Sequence, residues 1–223
     1  MSHGIYLVQQ GLAELGYDPG PLDGLYGPRM ASALDAAQAA RFAPKAAPSP
    51  APAPKTGLRR IIMHWTAGGP TASTEDRSHY HFIVQQDGAV VKGDRTPEDN
   101  INTADGRYAA HTLNCNTGSI GVSLCGMVAA QERPFAKGPY PIKAPQVAVM
   151  CSLVAKLCRD YGIPVTRETV LSHAEVQPTL SIAQRGKIDI MWLPGMDDMQ
   201  NPVTVGDKLR ADISAALALM KGA

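Results

Sequence analysis

Two histidines close short apolar runs far apart in the chain. His64 ends the run in "RRIIMHWTAGG", residues 59–69, and His173 ends "TVLSH", residues 169–173. A long polar loop is expected after His173 and ends in "GKID", which supplies Lys187 and Asp189. Two imidazoles and a carboxylate make three ligands for zinc and leave the fourth tetrahedral position to water, as in a catalytic rather than a structural site. In an extended segment Lys187 and Asp189 point to the same face. An ammonium there is useless for holding a cation, but it would stabilise an oxyanion forming on a polarised carbonyl. A second pairing competes. "HYH", residues 79–81, puts His79 and His81 on one face of a strand. Any of these histidines also reads, taken singly, as a hydrogen-bonded structural residue. Spacing does not choose between the pairs.

The elements that must carry these residues are legible from periodicity. Residues 59–65 read as a strand, and "YHFIVQQDGAVVK" as a hairpin turning at Asp87-Gly88. "SIGVSLCG", residues 119–126, is a further apolar strand, and "TVLSH" a short one. "PQVAVMCSLVAKLCRDYG" carries Val147, Met150, Cys151, Val154, Leu157, Cys158 and Tyr161 on one helical stripe, with Pro145 near its start and Gly162 past its end. A last helix holds Val205, Leu209, Ile213, Leu217 and Met220 in register. Strands and helices mixed in this order predict an α/β domain, a central mixed β-sheet flanked by helices.

A break precedes this body. "FAPKAAPSPAPAPKT" places five prolines within residues 42–56. Such a run excludes helix and sheet ladders and favours an extended spacer of roughly 40 Å. The expected organisation is therefore a small helical head at 1–42, a Pro/Ala-rich linker at 43–56 and a body at 57–223. In the head, Val8, Leu12 and Leu15 follow a helical spacing that Gly16 ends. "DPGPLDGLYGP" is a dense turn region, and Met30, Ala33, Leu34 and Ala37 form a second stripe.

Composition removes several function classes. The chain has 223 residues, 44% of them hydrophobic, enough for a core. Its 21 basic and 20 acidic side chains leave a net charge of +1, which argues against a nucleic-acid partner. No apolar run approaches the roughly 20 residues that span a bilayer. The N-terminus shows no basic and apolar regions of a secretory signal, so synthesis in the cytoplasm is the expectation. The four cysteines, Cys115, Cys125, Cys151 and Cys158, form no C-x-x-C pair and are expected to be free core thiols.

Two resemblances follow from the order of these residues. "VQQGLAELGYDPGPLDGLYGPRMASALDAAQ" resembles the peptidoglycan-binding module found beside many cell-wall hydrolases, chiefly through Gln9, Asp23-Gly24 and Tyr26-Gly27. Met30 and Ala37 depart from it, where a threonine and an aromatic are usual. "RRIIMHWTAGG", "YHFIVQQDGAVV", "AAHTLNCNTGSIGVSLCG" and "LSHAEVQ…GKID", in that order over about residues 58–195, resemble the zinc-dependent N-acetylmuramoyl-L-alanine amidases. That resemblance implies zinc held by His64, His173 and Asp189, Lys187 as the oxyanion-stabilising cation and Tyr80 near the metal-bound water. It makes His81 a structural strand residue and His111 a residue lining the substrate cleft. Ser123 stands where recycling members of the family carry a glutamate base, which brings the chain nearer the phage-type enzymes. Glu175, two residues after His173, is an alternative base, though the favoured expectation is that it orients a zinc ligand. The implied activity is cleavage of the amide between N-acetylmuramic acid and L-alanine, in a monomer whose partner is peptidoglycan, acting on the wall after holin- or secretion-dependent release. A cytosolic muropeptide-recycling amidase and a non-catalytic recognition protein are the alternatives.

Overall fold

The run "RIIMHW" forms the middle of a sheet in the computed structural model of the chain, which describes Ile5, Gln9, Gln10, Leu12, Ala13 and residues 16–42 and 57–221. Strand β1, Arg60–Trp65, is buried along all but its first residue. An unbroken apolar strand suits a position between two parallel neighbours covered on both faces. Those neighbours are β4, Ser119–Leu124, and β5, Val170–Ser172, each parallel to β1. A hairpin of β2, Phe82–Val84, and β3, Val90–Lys92, completes the five-stranded order β3-β2-β4-β1-β5, with β2 parallel to β4 and antiparallel to β3. The sheet is mixed, and its one antiparallel strand lies at an edge.

Alternation along β1 divides the two faces. Ile61, Met63 and Trp65 share a core with Ile120, Val122 and Leu124 of β4 and with two long helices, α3 (Ala144–Tyr161) and α5 (Pro202–Lys221). Ile62 turns to the other side and packs with Cys115 and Val176. His64 shares that second face, and so does its register partner Ser123. Helix α3 ends where expected, at Gly162, which takes the left-handed conformation with φ 67°. Two short helices complete the second unit: α2, Thr74–His79, and α4, His173–Leu180.

The chain divides into two compact units, Met1–Pro50 and Ala51–Ala223. In the first, α1 runs Pro28–Phe42 and starts on a proline whose missing N–H costs nothing there. The helix expected around Val8, Leu12 and Leu15 falls largely outside the described residues, as does the 43–56 linker. Its end is visible: Tyr17 N–H donates to Leu12 O at 2.9 Å across Gly16, whose φ is 83°. Buried Gln9 pins the turn region, donating to Pro21 O at 2.8 Å and accepting from Gly24 N at 2.8 Å. Leu12, Met30 and Ala33 form the small core. All four cysteines are buried and free, and no described helix is long and apolar enough to cross a membrane.

Candidate metal centre

Three segments bring their polar residues to one point. His64 sits next to the last residue of β1, fully buried. His173 opens α4 directly after β5, on the strand beside β1. Asp189 arrives on a turn past α4. The Asp189 Oδ2 atom lies 3.3 Å from His64 Nδ1 and 3.2 Å from His173 Nδ1. The three ligand atoms all fall within 4.8 Å of one another. Ligands about 2.0–2.1 Å from a tetrahedral zinc stand roughly 3.3 Å apart, so the two histidine–carboxylate separations already have zinc spacing.

The far sides of both rings bear on their tautomers. His64 Nε2 lies 3.2 Å from His111 Nδ1 and 3.4 Å from Thr112 Oγ1. His111 Nε2 faces the Ser119 carbonyl at 3.3 Å, which can only accept, so the His111 proton sits on Nε2 and its Nδ1 accepts. His111 Nδ1 can accept from the Thr112 hydroxyl at 2.8 Å or from His64 Nε2, and the second arrangement is the tautomer that would present His64 Nδ1 to a metal. His173 Nε2 donates to Gln184 Oε1 at 2.9 Å, and the Gln184 amide is held in that orientation by donating to Leu113 O at 2.8 Å. Burial drives the His64 pKa down to about 4, against the pull of Asp189, and holds His111 well below the usual imidazole range. The His64 and His111 rings are neutral at pH 7. Two Nδ1 atoms and a carboxylate oxygen thus converge. That donor set fits a divalent cation of zinc's ligand preference.

Tyr80 caps the end of α2, half-buried, with its ring 5.1 Å from that of His64. Burial, then the Asp189 charge, pushes its phenol above the ordinary value, so it is a neutral hydrogen-bond donor across physiological pH. Tyr80 also lines a cavity of about 290 Å³, together with residues 66–69 and the α2 residues Glu75, Asp76 and His79. A larger cavity of about 570 Å³ lies between the hairpin and the end of α3 and touches none of the three ligands. Lys187 is exposed, and its charge reaches His64, where it opposes protonation. Ser123 lies beside His64 across the β1–β4 ladder, fully buried, its hydroxyl without a hydrogen-bond partner among the described residues.

The competing histidine pair comes apart. His79 belongs to α2, not to a strand, and bonds the Glu75 carbonyl at 2.9 Å. His81 is buried, accepting from Gly121 N at 2.8 Å and facing Asn100 Oδ1 at 3.0 Å. His111 lies buried behind His64, a place suited to orienting that ring more than to touching substrate. Among the described residues Glu175 makes no hydrogen bond to the His173 ring; its carboxylate accepts from Ser172 N at 2.7 Å and from Arg210 at 2.8 Å. The stretch after His173, expected as a loop, starts as a helix, with the Glu175 carboxylate accepting from the Ser172 N–H at its first turn. Gln184 and Thr112 carry no signal in the sequence, because each acts across segments distant in the chain. "S-H-A-E" does carry the capping signal for α4.

Comparison with known proteins places this geometry. A family model described as N-acetylmuramoyl-L-alanine amidase matches residues 54–189, and one described as a peptidoglycan binding domain matches residues 2–44. The first match covers more than half of the chain and ends on Asp189. The chain belongs to the N-acetylmuramoyl-L-alanine amidase family. Among solved structures, the amidase is similar to N-acetylmuramoyl-L-alanine amidase LysC from Clostridium intestinale, at 15% identity and a TM-score of 0.43, over 74% of this chain and 91% of that one. It is similar to the Drosophila peptidoglycan recognition protein SD at 19% identity and a TM-score of 0.40, over 65% and 86%. An endolysin of a Thermus scotoductus bacteriophage aligns at 19% identity and a TM-score of 0.41, over 67% and 83%. No curated protein matches the chain.

Proposed function

We propose that this amidase is a zinc enzyme of the endolysin type, hydrolysing the bond between N-acetylmuramic acid and L-alanine in intact peptidoglycan. The observation that carries the metal is the convergence of His64 Nδ1, His173 Nδ1 and Asp189 Oδ2, with both outer ring nitrogens engaged in hydrogen bonds. When bound, zinc supplies Lewis acidity and a water acidic enough to ionise near neutral pH. The chain's own residues do the rest. His64, His173 and Asp189 would hold the ion. Tyr80, neutral at pH 7, donates a hydrogen bond to the attacking water or the scissile carbonyl. Lys187, exposed at the rim, brings positive charge to the oxygen on which the tetrahedral oxyanion develops. Ser123 cannot serve as a base at neutral pH, so proton transfer falls to groups at the open side of the centre.

The head supports the choice of an insoluble substrate. A module of the peptidoglycan-binding kind raises the local concentration of the wall around the catalytic unit. The test is to treat purified sacculi and soluble muropeptides with chelated and zinc-restored protein and to identify the products by mass spectrometry. The expected result is zinc-dependent release of stem peptides with free L-alanine N-termini from sacculi, with glycan strands intact. Cleavage of soluble fragments alone would turn the reading to muropeptide recycling, and binding without release would turn it to recognition.

A further inference from the structure

A buried ion pair that the catalytic scheme leaves unused joins the metal centre to the last helix. Arg210 lies in α5, beyond the residues that the amidase family model matches, and is only 7% exposed. Its Nη1 donates to Val170 O at 2.8 Å and its Nη2 to Glu175 Oε1 at 2.8 Å. The other Glu175 oxygen accepts from Ser172 N at 2.7 Å, and Glu175 is fully buried. One planar guanidinium therefore bridges the residue three before His173 and the residue two after it. Between them lie the end of a three-residue edge strand and the first turn of a short helix, neither long enough to hold its own geometry.

The approach of α5 is built for this contact. A Cβ at Gly206 would lie 2.1 Å from a Glu175 carboxylate oxygen, so only glycine admits the carboxylate at that point in the helix. Asp207 accepts from the same Nη2 at 2.8 Å, Val203 O lies 3.4 Å from it, and Asp207 is itself held by Arg167 at 2.7 Å. Burying a charged pair gains little stability over an apolar pair of the same volume. Its directed hydrogen bonds are what an apolar pair could not supply, and they converge on the backbone that aims the His173 ring.

We propose that Arg210 is a positioning residue of the metal centre, fixing the β5–α4 junction through Val170 and Glu175 so that His173 Nδ1 meets Asp189 and His64 at ligand spacing. The inference rests on the zinc reading above. The test is zinc affinity of the full-length protein after chelation, by competition with a chromogenic chelator, beside a thermal melt of each zinc-free variant. Arg210→Ala and Gly206→Ala are expected to weaken zinc binding about ten- to a hundredfold. Arg210→Lys, which keeps the charge but not the two-pronged bridge, is expected to fall between them and the parent. Ile213→Ala, on the same helix and buried in the core, is the control: it lowers the melting temperature and leaves zinc affinity within about twofold of the parent. Should Arg210→Ala fail to fold, Gly206→Ala and Arg210→Lys carry the decision. Folded variants that bind zinc like the parent would overturn the clamp, and so would an Ile213→Ala that loses affinity as far as they do. A parent protein that binds no zinc would overturn the zinc reading itself, and the clamp with it.

Discussion

Gln184 and Lys187 separate two kinds of work at the centre. Gln184 holds a ligand and Lys187 holds none, so their removal should leave different traces. Gln184→Ala frees the outer nitrogen of His173, and the ring can then turn or change tautomer. Zinc affinity is expected to fall about ten- to a hundredfold, read by chelator competition. Lys187→Ala should keep zinc and lower kcat about a hundred- to a thousandfold, the usual cost of one oxyanion-stabilising group. A Lys187→Ala enzyme that kept its kcat would remove the residue from the chemistry. The three proposed ligands are legible in the sequence through the family resemblance, because residue type and spacing leave His64/His173 and His79/His81 as rivals. The residues behind them are not. The resemblance places His111 at the substrate cleft, and in the fold its ring lies buried beside His64 Nε2, Thr112 Oγ1 and the Ser119 carbonyl. Those neighbours lie across a loop and give no local signal.

Among the elements, β4 shows most clearly how backbone spacing serves the centre. Gly121 lies two residues before Ser123 and on the same face, and a Cβ there would meet the His111 ring at 2.6 Å. Glycine is thus what leaves room for the His111 imidazole, which meets the His64 ring edge-on at 78°. Gly121→Ala is expected to destabilise the protein by about 1–3 kcal/mol through overpacking, and to weaken zinc by displacing His111. Urea midpoints and zinc titration read the two effects. The long helices and β1 are legible because each holds one period over many residues. The α4 segment reads as a loop although Ser172 and Glu175 carry a capping signal. Only eight residues long and holding Pro178, it shows too little periodicity to declare itself. The clamp from α5 is illegible for another reason: Arg210 and Glu175 meet only once β5 and α5 have packed.

The whole molecule carries several buried neutral imidazoles, and this makes its stability pH-dependent. Burial lowers the His81 pKa to about 4, while in the unfolded chain a histidine titrates near about 6.5. Between those values the unfolded state binds the extra proton, so stability falls as pH drops below about 6.5 and stops falling from this cause below about 4. His81 alone accounts for on the order of 3 kcal/mol across that window, and the buried His64 and His111 act in the same direction in zinc-free protein. Urea unfolding of chelated protein should therefore show a midpoint that declines steadily from pH 6.5 to pH 4. A flat profile would mean that these rings are not buried neutral. The central claim, a metal held by two histidines and an aspartate, is most directly tested by calorimetric titration of zinc into chelated parent protein and into Asp189→Ala. The account predicts one tight site per chain in the parent and its loss in the variant. A parent with no tight site, or an Asp189→Ala protein that binds zinc as tightly, would contradict it.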